Sequence, residues 1–195
     1  MKISKSLMVL IAIVAVAAIW GFSSYNGLVS KQTEVEKASA NVQSAYQRRA
    51  DLVPNLVETV KGYAKHEEET LKSVVEARAK AMQTQVDLAN ATPEQIKAFQ
   101  QAQSELGGAL GKLIAVGESY PDLKANQNFL DLQHQLEGTE NRINEARNAF
   151  NSTVAEYNKS VRSFPTNLLA GMFGFEKAES FQAEEGAQKA PQVKF

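Results

Sequence analysis

Apolar positions along this chain follow two patterns, and the change from one to the other divides the chain. From Leu7 to Phe22 they are nearly continuous and carry no charge. With Ile3 before this run and Tyr25 and Leu28 after it, the stretch is long enough to cross a hydrocarbon core of ~30 Å. The span is assigned to Leu7, Ile11, Val14, Ala18, Trp20, Phe22 and their neighbours. Trp20, Phe22 and Tyr25 gather at its far end, where amphipathic rings favour the headgroup level. From Leu28 the pattern becomes periodic. Leu28, Val35 and Val42 are spaced by seven, with Ala38, Ala45 and Leu52 on the second seam position. No breaker intervenes, so one helix is predicted from the bilayer into solvent. It is predicted to end at Val53, because Pro54 disfavours the helical conformation of the residue before it. Pro54 then opens a second helix, whose seam runs through Val57, Val60, Ala64, Leu71, Val74, Ala81 and Leu88.

"NATPEQ" marks the next start. Thr92 as N-cap, Pro93 at the first helical position and Gln95 three residues after the cap form a capping box. This third helix carries Ile96, Phe99, Leu106, Leu110, Leu113 and Tyr120 on its apolar face. Gly107, Gly108 and Gly111 lie inside it, each costing ~1 kcal/mol relative to alanine, which predicts close approach of a neighbouring helix backbone in preference to a hinge. Pro121 starts a fourth helix, with Phe129, Leu136, Ile143, Phe150, Tyr157 and Phe164 at strict seven-residue spacing. From Pro121 to Phe164 it would measure ~66 Å. Short connections make neighbours antiparallel. The predicted fold is therefore all-α, a transmembrane helix continuing into a long antiparallel bundle of four helices running up-down-up-down. Its predicted parts are an anchor over 1–27, the bundle over 28–165, and a C-terminal segment over 166–195 that is first apolar, then polar. The Pro54 and Pro121 corners are distal, and the fourth helix returns to the bilayer.

Composition narrows the classes of function. The 195 residues carry a net charge of −1, which supplies no overall field toward nucleic acid or acidic lipid. Absence of cysteine excludes disulfides, thiolate metal sites and cysteine nucleophiles. Ala15-Val16-Ala17 offers small residues for signal-peptide cleavage, but cleavage there leaves a mature chain that still begins apolar, and an uncleaved anchor is the favoured reading. Lys2 and Lys5 stand against Lys31 and Lys37 on the far flank. The positive-inside rule then favours a cytoplasmic N-terminus and an exported body, which for a bacterial inner membrane would be periplasmic, with a cytoplasmic body as the alternative.

Several stretches carry a resemblance. "QRRADLVPNLVETVKGYAKHE", "YPDLKANQNF", "LQHQLEGTENRINEARNAFN", "FPTNLLAGMFGF" and "EGAQKAPQVKF" resemble the LemA family, over roughly Trp20 to Phe195. The resemblance implies a bacterial protein with an N-terminal transmembrane helix and a long antiparallel helical bundle. It implies no activity and supplies no catalytic residues. It also favours the reverse topology, with the short N-terminus outside the cytoplasm.

The search for reactive groups yields little. Di-metal bundles use inward glutamates with two Glu-x-x-His units, and only His66 and His134 are available. Asp131 stands three before His134, but Tyr63 stands three before His66, so a metal-binding or enzymatic bundle is the weaker alternative. No Gly-x-Ser-x-Gly setting occurs, and "GALGK" lacks the spacing of a phosphate loop. Basic residues alternate with acids, which speaks against nucleic-acid binding. No cofactor is predicted. Arg49 falls on the series of Leu28 and Val42, which turns it inward and requires partners. Glu58, Asp122 and Asn126 are predicted at its height, and Arg78 is paired with Glu140 or Glu145. Arg48, Asp51 and Asp122 form a candidate distal binding patch. Leu168, Leu169, Met172, Phe173 and Phe175 follow the return to the bilayer, where they either pack on the base of the bundle or lie in the membrane interface. The resulting expectation is a non-enzymatic membrane scaffold or adaptor. Its partners are the lipid bilayer and an unidentified envelope protein, with a second copy of the chain as a further candidate.

Overall fold

The computed structural model describes residues 4–182. Within them the chain is all-α, with six helices: α1 Lys5–Tyr63, α2 Glu68–Gln83, α3 Pro93–Ser119, α4 Pro121–Lys124, α5 Gln127–Arg162 and α6 Thr166–Phe173. Six helices replace the predicted four. One difference arises at Pro54 and another at Ala125–Asn126.

α1 is 59 residues long, about 88 Å at 1.5 Å per residue. It begins at Ser4, whose Oγ accepts a hydrogen bond from the Leu7 N–H at 3.3 Å, and it runs straight through Pro54. The predicted corner at Pro54 is therefore corrected. A proline inside a helix leaves the carbonyl four residues earlier without its usual donor. Here that carbonyl belongs to Ala50, and Arg78 Nε of α2 donates to it at 2.8 Å. The ring itself faces solvent. The turn comes instead after Tyr63, where Ala64 is buried and α2 opens with Glu68 and Glu69 in its first turn, a favourable place for negative charge.

The capping box of α3 is present. Thr92 Oγ1 accepts from the Gln95 N–H at 3.3 Å, and Gln95 Oε1 accepts from the Thr92 N–H at 2.8 Å. The predicted single helix from Pro121 to Phe164 is interrupted. α4 is one turn that buries Leu123. Asn126 then caps α5, its Oδ1 accepting from the Phe129 N–H at 3.1 Å. α5 stops at Arg162, so Phe164 drops out of the seam and is 81% exposed.

Cross-links give the directions. Lys31–Glu156, Arg49–Glu140 and Tyr63–Asn126 join α1 to α5 or its cap in opposite senses, so these long helices are antiparallel. Gln43 bonds to the Val86 carbonyl and Arg78 to that of Ala50, which sets α2 antiparallel to α1. Lys80–Glu105 and Glu67–Tyr120 do the same for α2 and α3.

The core falls into two apolar clusters. The one nearer the N-terminal span holds Leu28, Val42, Tyr46, Phe99, Ile143 and Phe150. The distal one holds Val53, Leu56, Leu106, Leu113, Phe129 and Leu136. Gly107, Gly108 and Gly111 do not face a neighbouring backbone; the nearest approach is Arg49 Nη1, 3.6 Å from where a Cβ would stand on Gly107. The glycine that permits close packing is Gly117, where a Cβ would overlap the Phe129 ring. Beyond α6, Gly174 takes the left-handed conformation that favours glycine, and residues 175–182 turn back along the bundle.

Candidate functional site

Two places combine polar or apolar groups in ways a packed bundle does not require. One is the end where α1 leaves the core. None of the residues in its most apolar stretch is buried, and Leu28 is the first buried residue of the helix. Leu7, Ile11, Val14, Trp20 and Phe22 are all exposed, as is Ala18. α6 lies beside that exit. Phe173 and Phe175 meet the Tyr25 ring edge-on at 5.0 and 5.6 Å. Leu168, Met172 and Phe173 remain exposed, Met172 at 77%. Phe175 is half-buried against the core, and Leu169 is also partly covered. The predicted interfacial set thus divides: Phe175 belongs to the base of the bundle, and Leu168, Met172 and Phe173 form an apolar surface next to the span.

The other place is the level between the two core clusters. Arg49 is 4% exposed there. Its Nη1 is 3.1 Å from Glu140 Oε2, and its Nη2 donates to both the Gln103 carbonyl and Gln103 Oε1, at 2.8 and 2.7 Å. The guanidinium also lies over the Tyr46 ring, 5.1 Å from its centroid. Nε is buried without a partner among the described residues. Glu140 keeps half its side chain in solvent, 52% exposed, so the pair is solvated on one side and desolvated on the other.

Other expected partners lie elsewhere. Glu58 is exposed and pairs with Lys61 one turn on. Asn126 caps α5 and donates to Tyr63 Oη at 2.9 Å. Asp122 is exposed on α4, beyond the Tyr63 end of α1. Asp51 lies twelve residues short of Tyr63, about 18 Å along the helix, so Arg48, Asp51 and Asp122 do not form one patch. Arg78 takes the Ala50 carbonyl instead of Glu140 or Glu145. All these corrections have one cause: the distal turn sits at residues 64–67 rather than at Pro54.

The histidines are also separated. His66 is exposed in the α1–α2 turn, while His134 is exposed on α5 with Nδ1 3.8 Å from Glu137. Asn126 marks the distal end of α5, so His134 lies eight residues, about 12 Å, below it. Among the described residues, no group of three or more His, Asp or Glu side chains is placed to hold a metal. Perturbed acids and phenols are local matters. A hydrogen bond from Lys80 holds the Glu105 carboxyl below its ordinary range. A hydrogen bond to Glu67 raises the Tyr120 phenol, and burial, aided by the Glu176 charge, raises that of Tyr157.

Sequence reasoning missed a set of side chains on α5. Asn158 Oδ1 accepts from the Ala178 N–H at 2.9 Å while its Nδ2 donates to the Ala178 carbonyl at 2.8 Å. Asn151 holds Phe181 in the same way, at 2.9 and 3.2 Å. The available signal was the spacing of Asn144, Asn151 and Asn158 by seven, which places them in one row on the helix.

These features define an all-α protein with, among the described residues, one helix long and apolar enough to cross a membrane, continuing into a helical bundle. The LemA family profile matches residues 38–195, and the chain belongs to the LemA family. It is 28% identical to Protein LemA of Metamycoplasma hominis over 82% of this chain and 69% of that protein. It is 27% identical to Magnetosome protein MamQ 2 of Paramagnetospirillum magneticum, over 81% of this chain. Magnetosome protein MamQ of Magnetospirillum gryphiswaldense is 26% identical over 80% of this chain. The chain spans 64% of each of these magnetosome proteins, less than two thirds of their length.

Proposed function

We propose that this protein is a single-pass membrane scaffold or adaptor of the bacterial envelope, with no catalytic activity of its own. The observation that carries the reading is the continuity of α1. One helix supplies both the uncovered apolar stretch and the central element of the bundle, so the body is held to the bilayer without an intervening joint. The exposed α6 side chains beside Tyr25 give the base a second apolar contact with lipid. The arrangement suits presentation of the distal body to another envelope protein. By the distribution of lysines, that body stands outside the cytoplasm at the inner membrane.

Fractionation and fusions test the reading. The full chain is expected to stay with membranes through alkaline extraction. Alkaline phosphatase fused after Phe195 is expected to be active, while a reporter that fluoresces only in the cytoplasm stays dark at that position. The opposite pair of results reverses the topology, and release by alkali removes the anchor. Stoichiometric iron, manganese or zinc in the purified protein would overturn the non-catalytic scaffold.

A further inference from the structure

Where α1 leaves the core, a cavity of about 470 Å³ is bordered by α1, α5, the loop before α3 and the chain after α6, a size within the range of small-ligand pockets. Tyr157 lines it and is only 4% exposed. The tyrosine hydroxyl makes no hydrogen bond among the described residues, yet its oxygen is not sealed off. A buried phenol ordinarily finds a partner, so this one is left to a group that enters the cavity. Burial, with the Glu176 charge beside it, raises the phenol, which keeps the hydroxyl protonated and its oxygen a neutral acceptor. Glu176, Lys177 and Glu179 line the same cavity. Asn158 fixes their stretch of chain by bonding to both main-chain groups of Ala178, which lies among them. None of the three makes an ion pair among the described residues. Two carboxylates against one ammonium leave the lining net negative while still offering one cation. A complementary occupant carries both a cation with N–H groups and an anion.

Height along α1 selects which such molecule is at hand. Gly174 lines the cavity between Phe173 and Phe175, and both of those rings meet Tyr25 at the end of the apolar stretch. Gln32, also on the lining, stands seven residues further along α1, about 10 Å. The headgroup layer beyond each face of the hydrocarbon core is itself ~5–7 Å deep. The cavity therefore starts within that layer, beside the exposed Leu168, Met172 and Phe173 of α6. We propose that it binds the phosphoethanolamine headgroup of a bilayer lipid. The primary ammonium donates to the Tyr157 hydroxyl oxygen and to the Glu176 and Glu179 carboxylates, and Lys177 pairs with the phosphate. A choline headgroup has no N–H to donate. A phosphoglycerol headgroup brings only negative charge to a lining that is already net negative. The inference rests on the membrane-anchored reading, because the bilayer brings the lipid to the cavity.

The full chain is placed in nanodiscs of equal parts phosphatidylethanolamine, phosphatidylcholine and phosphatidylglycerol with the same acyl chains. Native mass spectrometry counts the lipid that the released protein retains. One ethanolamine lipid per chain is expected, favoured about tenfold over the other two, the size of one hydrogen bond to a charged group. Tyr157→Phe removes only the hydroxyl, and Glu176→Gln/Glu179→Gln keeps the side-chain shapes. Each change is expected to erase the preference without altering the melting temperature. Equal retention of the three lipids overturns the site, as does a preference that survives both changes. Soluble glycerophosphoethanolamine, titrated into the full chain in choline-lipid nanodiscs, separates the two sources of the headgroup. Weak or absent binding is expected, and binding as tight as that of the lipid overturns the lipid as ligand. Alkaline extraction of the same membranes is scored separately. A chain that washes off fails the anchor, whereas an anchored chain without the preference fails the headgroup site alone.

Discussion

Arg49 sits where the two apolar clusters would otherwise merge, and its bonding is uneven. One face is held by Gln103 in the interior, the other by the half-exposed Glu140. Removing the carboxylate strands a desolvated guanidinium, which is the more costly way to break such a pair. Glu140→Ala is therefore expected to lower stability by roughly 1.5–3 kcal/mol, the range for a hydrogen bond to a charged group. The double change Arg49→Met/Glu140→Leu removes both charges and is expected to cost less than Glu140→Ala alone. Thermal melts of the full chain in detergent measure the order. If the double variant is the less stable, the layer contributes net stability and not chiefly the alignment of α1 against α3 and α5.

For single elements, two local exceptions decide how the helices run. The first is Pro54, whose missing N–H is offset by Arg78 at the Ala50 carbonyl. Arg78→Ala is expected to cost about 1–2 kcal/mol by leaving that carbonyl short of a donor. In a Pro54→Ala background the helix supplies its own donor, so the same change should cost distinctly less. Equal costs in the two backgrounds would mean that the bond does not serve the helix. The second exception is Gly117. An added methyl there meets the Phe129 ring, so Gly117→Ala is expected to lose about 1–3 kcal/mol through overpacking. Gly108 has open space around it, and Gly108→Ala is expected to gain roughly 0.5–1 kcal/mol from helix propensity. Chemical denaturation of both variants checks the opposite signs.

In the whole molecule, the long lever of α1 fixes which end is near the bilayer, and α6 closes that end. Leu168, Met172 and Phe173 are exposed in the bundle, and burying them in lipid is favourable by ~25 cal/mol per Å² of apolar area. Trp20 is the single tryptophan, which allows a direct measurement. In nanodiscs containing brominated lipid, Trp20→Phe/Phe173→Trp is expected to show quenched, blue-shifted emission. Trp20→Phe/Tyr63→Trp places the probe at the distal turn and should be unaffected. Equal, unquenched emission from both probes would lift α6 off the membrane.

Much of the fold was legible because periodicity is a one-dimensional property. The apolar span, the seams of α1, α3 and α5, and the capping box at Thr92 each depend on residues a few positions apart. Continuity through Pro54 was also written there. The series Val42, Arg49, Leu56 and Tyr46, Val53, Val60 pass it without a change of phase. The local rule for the residue before proline outweighed that signal only because the donor from Arg78 comes from another helix. Tertiary structure alone decided the partners. Moving the distal turn from Pro54 to residues 64–67 shifted the heights of both α2 and α5 relative to α1, which gave Glu140 of α5 to Arg49 and the Ala50 carbonyl to Arg78 of α2. It also decided the fate of the C-terminal segment. Asparagines at heptad spacing bind an extended chain only when that chain is folded back beside them, and no pattern along the sequence encodes that return.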